Sequence, residues 1–150
     1  MKKLVLILVI IFTYSLSFAG TEDFIVKFGK LQKDSSGRCF VSSETTQIPL
    51  LLKDSGFRFG FTVENKKGNQ FTGYYIDYLP IPPETLTGDY KYNKPEDGGK
   101  KYISNKRTYN AYWWNDWWSD EGDPLGECKV EIYVNDELLK VIKYTMIPAE

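Results

Sequence analysis

The stretch FRFGFTVE, residues 57–64, alternates without a break. Phe57, Phe59, Phe61 and Val63 fall on one side, and Arg58, Gly60, Thr62 and Glu64 on the other. A period of two is the repeat of a β-strand, whose successive side chains point to opposite faces. The same period recurs along the chain. DFIVKFGKL sets Phe24, Val26 and Phe28 against Lys27, and RCFVSSE puts Cys39 and Val41 on one face. CKVEIYV sets Cys128, Val130, Ile132 and Val134 against Lys129, Glu131 and Tyr133. QFTGYYIDYL reads as a further strand, and no amphipathic helix is legible beyond the first twenty residues. Aromatic residues make up 16% of the chain, which also favours strands over helices.

Turn chemistry divides these runs. Gly68 in NKKGN supplies a flexible turn, so the strands on either side of it are expected to pair as a hairpin. Asn135-Asp136 is a two-residue connection of the kind that closes a tight β-hairpin, with ELLKVIKYTMI as the returning strand. Between them, residues 80–101 contain Pro80, Pro82, Pro83 and Pro95 and read as one long loop, because proline removes a donor from any central strand. About seven short strands separated by Pro/Gly-rich breaks imply an all-β fold, a two-layer antiparallel sandwich.

The amino terminus follows another logic. Lys2 and Lys3 precede the apolar run Leu4 to Phe12, and Ser17-Phe18-Ala19 ends the segment with small residues. This is the pattern of a secretory signal peptide over residues 1–19, with cleavage expected after Ala19. The run is shorter than the ~20 residues that span a bilayer, so no stable membrane span is expected in the mature form. Residues 20–150, about 130 in number, fit a single domain. The expected location is the periplasm or the exterior. The net charge of -1 becomes about -3 once Lys2 and Lys3 are removed, which leaves no basic excess for nucleic acid.

Cys39 and Cys128 are the only cysteines. In an oxidising compartment two lone cysteines are expected to pair. The loop so closed, of about 90 residues, would contribute roughly 4 kcal/mol. Cys39 falls in the second expected strand and Cys128 in the second-to-last, where a bond would staple the two sheets.

Four short motifs punctuate the mature chain: Phe28-Gly29, Phe59-Gly60, Ile48-Pro49 preceded at the right distance by Thr45 (with Thr46 one residue short of that spacing), and Pro124-Leu125-Gly126 leading into the closing hairpin. In these the chain resembles an uncharacterised bacterial exported family, one of the domains of unknown function. The resemblance implies an immunoglobulin-like sandwich and export, and it carries no catalytic residues. The cysteine pair and the tryptophan cluster stand outside it.

There is no histidine, which excludes Ser-His-Asp and Cys-His catalysis and His-containing zinc sites. EDGGKK lacks the spacing of a phosphate loop. No enzyme activity, cofactor or metal is expected. The carboxylates Asp116, Asp120, Glu121 and Asp123 crowd one turn, either as calcium ligands or as a solvated acidic turn, and the second reading is favoured.

All four tryptophans lie in YNAYWWNDWWSDEGDP. In a regular strand Trp113 and Trp117 share one face, and Trp114 and Trp118 the other. A sandwich strand has one core face. The second pair is therefore either an exposed ledge or covered by the proline-rich loop. Tyr109, Tyr112, Tyr90 and Tyr92 extend the same surface. Trp and Tyr dominate protein-binding hot spots, so the expected partner is another envelope or secreted protein, a class that includes inhibitor and immunity roles. The alternative is a glycan stacked on the aromatic platform.

Overall fold

The computed structural model describes residues 21–86 and 93–149. The expected signal peptide and the candidate residues Tyr90 and Tyr92 lie outside them. Eleven strands are formed by the described residues: β1 (Phe24–Lys33), β2 (Cys39–Glu44), β3 (Gln47–Pro49), β4 (Phe59–Asn65), β5 (Gln70–Tyr78), β6 (Lys94–Glu96), β7 (Lys101–Ile103), β8 (Arg107–Asn110), β9 (Tyr112–Trp117), β10 (Gly126–Val134) and β11 (Glu137–Ile147). They build a four-stranded sheet in the order β2-β1-β4-β9. The second sheet has seven strands, in the order β3-β11-β10-β5-β7-β6 with β8 also on β5. All pairs are antiparallel except β11–β3.

The two sheets face one another across an aromatic interior. Phe28 from the smaller sheet meets Tyr144 from the larger at 5.1 Å between ring centroids, and Phe61 meets Tyr75 edge-on at 5.7 Å. Val63, Val130 and Ile132 are fully buried between them. The expectation of a two-layer sandwich is met. The expected seven or so strands become eleven, because β3, β6 and β7 are three residues each and too short to show a period, and the stretch leading into the tryptophans divides at Ala111 into β8 and β9. Part of the supposed long loop is thus a small hairpin, β6–β7, and Pro95 sits in β6 at the sheet edge, where a missing donor costs nothing.

β4 and β5 do not form the expected hairpin. β4 pairs with β1 and β9, and β5 with β10, β7 and β8, so the turn at Lys66–Asn69 carries the chain from one sheet to the other. Alternation tells which face of each strand is buried. It does not tell whether the next strand lies beside it or across from it. The closing hairpin does form: Asn135 and Asp136 both adopt positive φ, 51° and 69°, as a two-residue turn requires.

The two Phe-Gly motifs are one structural device. Gly29 and Gly60 are register partners in β1 and β4, at φ 151° and 148°. A Cβ on Gly29 would collide with the Ser43 carbonyl oxygen, and one on Gly60 with the Asn115 carbonyl oxygen. Glycine is required there because neighbouring backbones approach too closely for any side chain.

The expected disulfide is absent. Cys39 and Cys128 are both buried free thiols. Cys128 belongs to the interior between the sheets, whereas Cys39, although 1% exposed, lies outside that cluster. The β1–β2 register shifts between Lys30 and Leu31, and the Cys39 end of β2 lies against the outward side of the smaller sheet, beside Tyr112. There the Tyr112 hydroxyl donates to the Cys39 carbonyl oxygen at 2.9 Å. The backbone of the smaller sheet therefore stands between the two sulfurs, and strand order alone could not reveal it.

Candidate functional site

Ala111, at φ 63°, is where the chain changes sheets: β8 pairs with β5, and β9 with β4. Tyr109 and Trp113 consequently stack across the sandwich, centroids 4.9 Å apart and planes within 18°. Trp113 and Trp117 point inward and are 2% and 7% exposed. Gly73 of β5 makes room for the first; a Cβ there would lie 2.8 Å from the Trp113 ring. Trp117 is enclosed by Phe59, Phe61, Tyr75 and Tyr144, with ring centroids 5.5–6.5 Å away. Its indole Nε1 has no hydrogen-bond partner among the described residues.

The outward face of β9 differs. Trp114 is 39% exposed, with Tyr112 tilted against it at 6.1 Å. The Arg38 guanidinium lies 3.4 Å from the Tyr112 ring centre. Just past the strand, half-buried Trp118 carries Lys53 Nζ at 4.7 Å and Arg58 Cζ at 5.0 Å from its ring centre. Arg58 also approaches Asp116 at 3.9 Å. A strip of aromatic rings thus runs along the edge strand of the smaller sheet, with cations over Tyr112 and Trp118 in cation–π contacts and Trp114 packed on Tyr112 between them. The tryptophan pairs separate by face as strand geometry requires, and only the outward pair reaches solvent.

The carboxylates of the acidic turn are engaged separately. Asp120 accepts from Trp118 Nε1 at 2.9 Å, and Asp123 accepts from the backbone N–H of Asp120 at 2.8 Å. Among the described residues no three acidic or thiol groups gather in a metal-binding arrangement. Burial pushes the Asp123 carboxyl above its ordinary range, although the hydrogen bond from Asp120 opposes this.

A pocket of about 210 Å³ opens beside the end of β9. Its floor is the aromatic interior, Phe59, Tyr75, Trp117 and Tyr144, and its outer wall is the proline-rich segment at Pro83 and Leu86. Asp116, Asp123 and Asn115 stand among its polar lining residues.

Two features escaped the sequence reading. Asp77 is 1% exposed on the inward face of β5. Its Oδ1 accepts from the Tyr144 hydroxyl at 3.2 Å, and its Oδ2 has no partner. Burial raises its pKa from 3.8 to about 7, against hydrogen bonds from Tyr144 and from the backbone of Tyr78. The neighbouring Cys128 thiol is pushed up to about 12, first by burial and then by the Asp77 charge. A carboxylate at a core-facing position of an alternating strand was the available signal. The second feature is on the outward face of the larger sheet, where Glu131 accepts from Lys129, Tyr78 and Tyr133 at 2.7–3.1 Å and Tyr74 stacks on Tyr133 at 4.7 Å.

Comparison with known proteins places this architecture. Residues 26–147 match the family model described as the PM0630 beta sandwich domain. An immunoglobulin-like protein (PA1606) from Pseudomonas aeruginosa superposes with a TM-score of 0.53 at 14% identity, over 82% of this chain and 92% of that one. At that identity the likeness concerns the fold alone, an immunoglobulin-like β-sandwich. The Pseudomonas fluorescens alkylpurine DNA glycosylase AlkC, bound to DNA containing an abasic site analog, aligns with a TM-score of 0.35 at 17% identity, over 83% of this chain and 30% of that one. No curated protein matches the sequence.

Proposed function

The chain belongs to the PM0630 beta sandwich domain family, and from that premise we propose that it is a non-enzymatic binding module of the cell envelope that docks another protein on the outward face of β9. The observation that carries this reading is the strip Arg38, Tyr112, Trp114, Arg58, Trp118, in which cations lie over the Tyr112 and Trp118 rings and exposed Trp114 packs against Tyr112. Trp, Tyr and Arg are the residues that dominate binding hot spots. Rings already fixed by packing lose little entropy when a partner covers them. The pattern in residues 1–19 supports export to the periplasm or beyond, and an inhibitor or immunity role falls within the same class.

A photo-crosslinking amino acid at position 114, in cells, tests the reading. It should give one discrete protein adduct that disappears with Arg38→Ala, while the same crosslinker at Lys143, on the larger sheet, gives none. Equal patterns at both positions, or none at either, would refute it. The 39% exposure of Trp114 keeps a glycan as the second reading. That reading requires a saturable fluorescence change with cell-wall or storage glycans that Trp114→Ala removes.

A further inference from the structure

The pocket beside β9 shares Asp116 and Trp118 with the outward strip but opens onto the aromatic interior, which gives it a chemistry of its own. Three observations define it. The volume, about 210 Å³, is below the ~300–1,000 Å³ of drug-sized ligand sites and somewhat above the ~150 Å³ apolar cavity that accepts benzene. It therefore suits one six-membered ring with a short substituent. The floor is built for a ring: Tyr75, Trp117 and Tyr144 are mutually packed aromatic faces in a dry interior, where edge and offset contacts with a further ring are favourable. Finally, the charged residues lining the pocket, Asp116 and Asp123, are both carboxylates. Arg58 reaches Asp116 only at 3.9 Å, and no ion pair to Asp123 forms among the described residues. Asp123 has lost hydration without gaining a cation, a state that an incoming ammonium group would relieve.

We propose that this pocket binds a small aromatic amine, its ring seated among Tyr75, Trp117 and Tyr144 and its ammonium group against the carboxylates of Asp116 and Asp123. Trp117 lines the pocket floor with its indole Nε1 buried and unpartnered, so its ring face is the surface a ligand meets and its N–H signal reports on the core beneath. An anionic relative of the same shape is excluded by the two carboxylates, and a plain hydrocarbon leaves Asp123 as it is.

Tyramine, 4-methylphenol and 4-hydroxyphenylacetate separate these contributions, because they share the ring and differ in charge. Titration of the full mature chain, followed by calorimetry and by the tryptophan indole N–H signals in two-dimensional NMR, should show saturable tyramine binding that shifts the Trp117 signal. Binding of 4-methylphenol should be weaker and that of 4-hydroxyphenylacetate undetectable. Asp123→Asn should weaken tyramine about tenfold or more, the worth of one charge-assisted hydrogen bond, and leave 4-methylphenol unchanged. Thr85→Trp, which fills the mouth from an exposed loop position, should abolish both. Equal binding of the anion and the amine, an Asp123→Asn variant that binds tyramine as well as the parent, or no saturable binding of any of the three would overturn the proposal. Trp114→Ala should bind tyramine normally, so this result stands or falls apart from the docking reading.

Discussion

Asp77→Asn probes the interior most directly. The folded chain holds this carboxyl at about 7 against an ordinary 3.8. Below pH ~4 the group is protonated in both folded and unfolded chains, and its contribution to stability is fully present. As the pH rises, the unfolded chain releases the proton first, and stability falls until the folded carboxyl also ionises near 7. The shift of about 3 pH units corresponds to a loss of roughly 4 kcal/mol between pH 4 and 8. The titratable neighbours are silent in this window, since Cys128 is pushed to about 12 and Tyr144 well above its ordinary value. Asparagine keeps an acceptor for the Tyr144 hydroxyl and removes the titration. However, it places an amide beside the position where Oδ2 finds no partner, at a cost of about 1–3 kcal/mol. The two stability curves should therefore cross. At pH 4.5 the variant is less stable than the parent, and at pH 8 it is more stable. Guanidinium unfolding midpoints at half-unit intervals of pH measure this, and the difference between the two proteins cancels the other carboxylates. Parallel curves would show that Asp77 is ionised or hydrated in the folded chain, and would refute the reasoning.

Two further perturbations follow from the packing. Gly60→Ala drives a Cβ into the Asn115 carbonyl oxygen at a position with φ 148° and should cost more than ~3 kcal/mol; Gly73→Ala meets no backbone and displaces the stacked Trp113 and Tyr109 rings, and should cost about 1–3 kcal/mol, both read from unfolding midpoints. The buried thiols should be unreactive to a thiol reagent in the native protein and both titrate in denaturant without reductant. A disulfide-linked species from freshly purified protein would contradict the free-thiol arrangement.

Much of the fold is legible in the alternation of residues 24–28, 57–64 and 128–134, because burying one face of each strand is what a sandwich does with such a pattern. The order of the strands is not legible. Whether β5 lies beside β4 or opposite it depends on how the Phe61 and Tyr75 rings fit across the interior, a contact with no signature in the turn between them. The cysteines mislead for a related reason. Their placement in the second and the second-to-last expected strands points to a bond across the core. Cys39 instead lies on the outward side of the smaller sheet, beside Tyr112, a placement that strand order does not encode.

The candidate site divides along the same line. Spacing alone separates Trp113 and Trp117 from Trp114 and Trp118, because a strand offers two faces and no more. The inward pair is received by the opposing sheet, Trp113 over Gly73 and Trp117 against Tyr75 of β5, contacts that have no signature near the tryptophans. The cations over the outward rings come from Arg38, Lys53 and Arg58, which are 60 to 74 residues away along the chain from the rings they cover. A tryptophan cluster in sequence is thus read in space as two different objects, an interior anchor that ties β9 to the larger sheet and an exterior strip held rigid by borrowed charge. The pocket forms where the two meet, at the end of β9, because the strand stops pairing there while its last inward ring, Trp117, still fills the core.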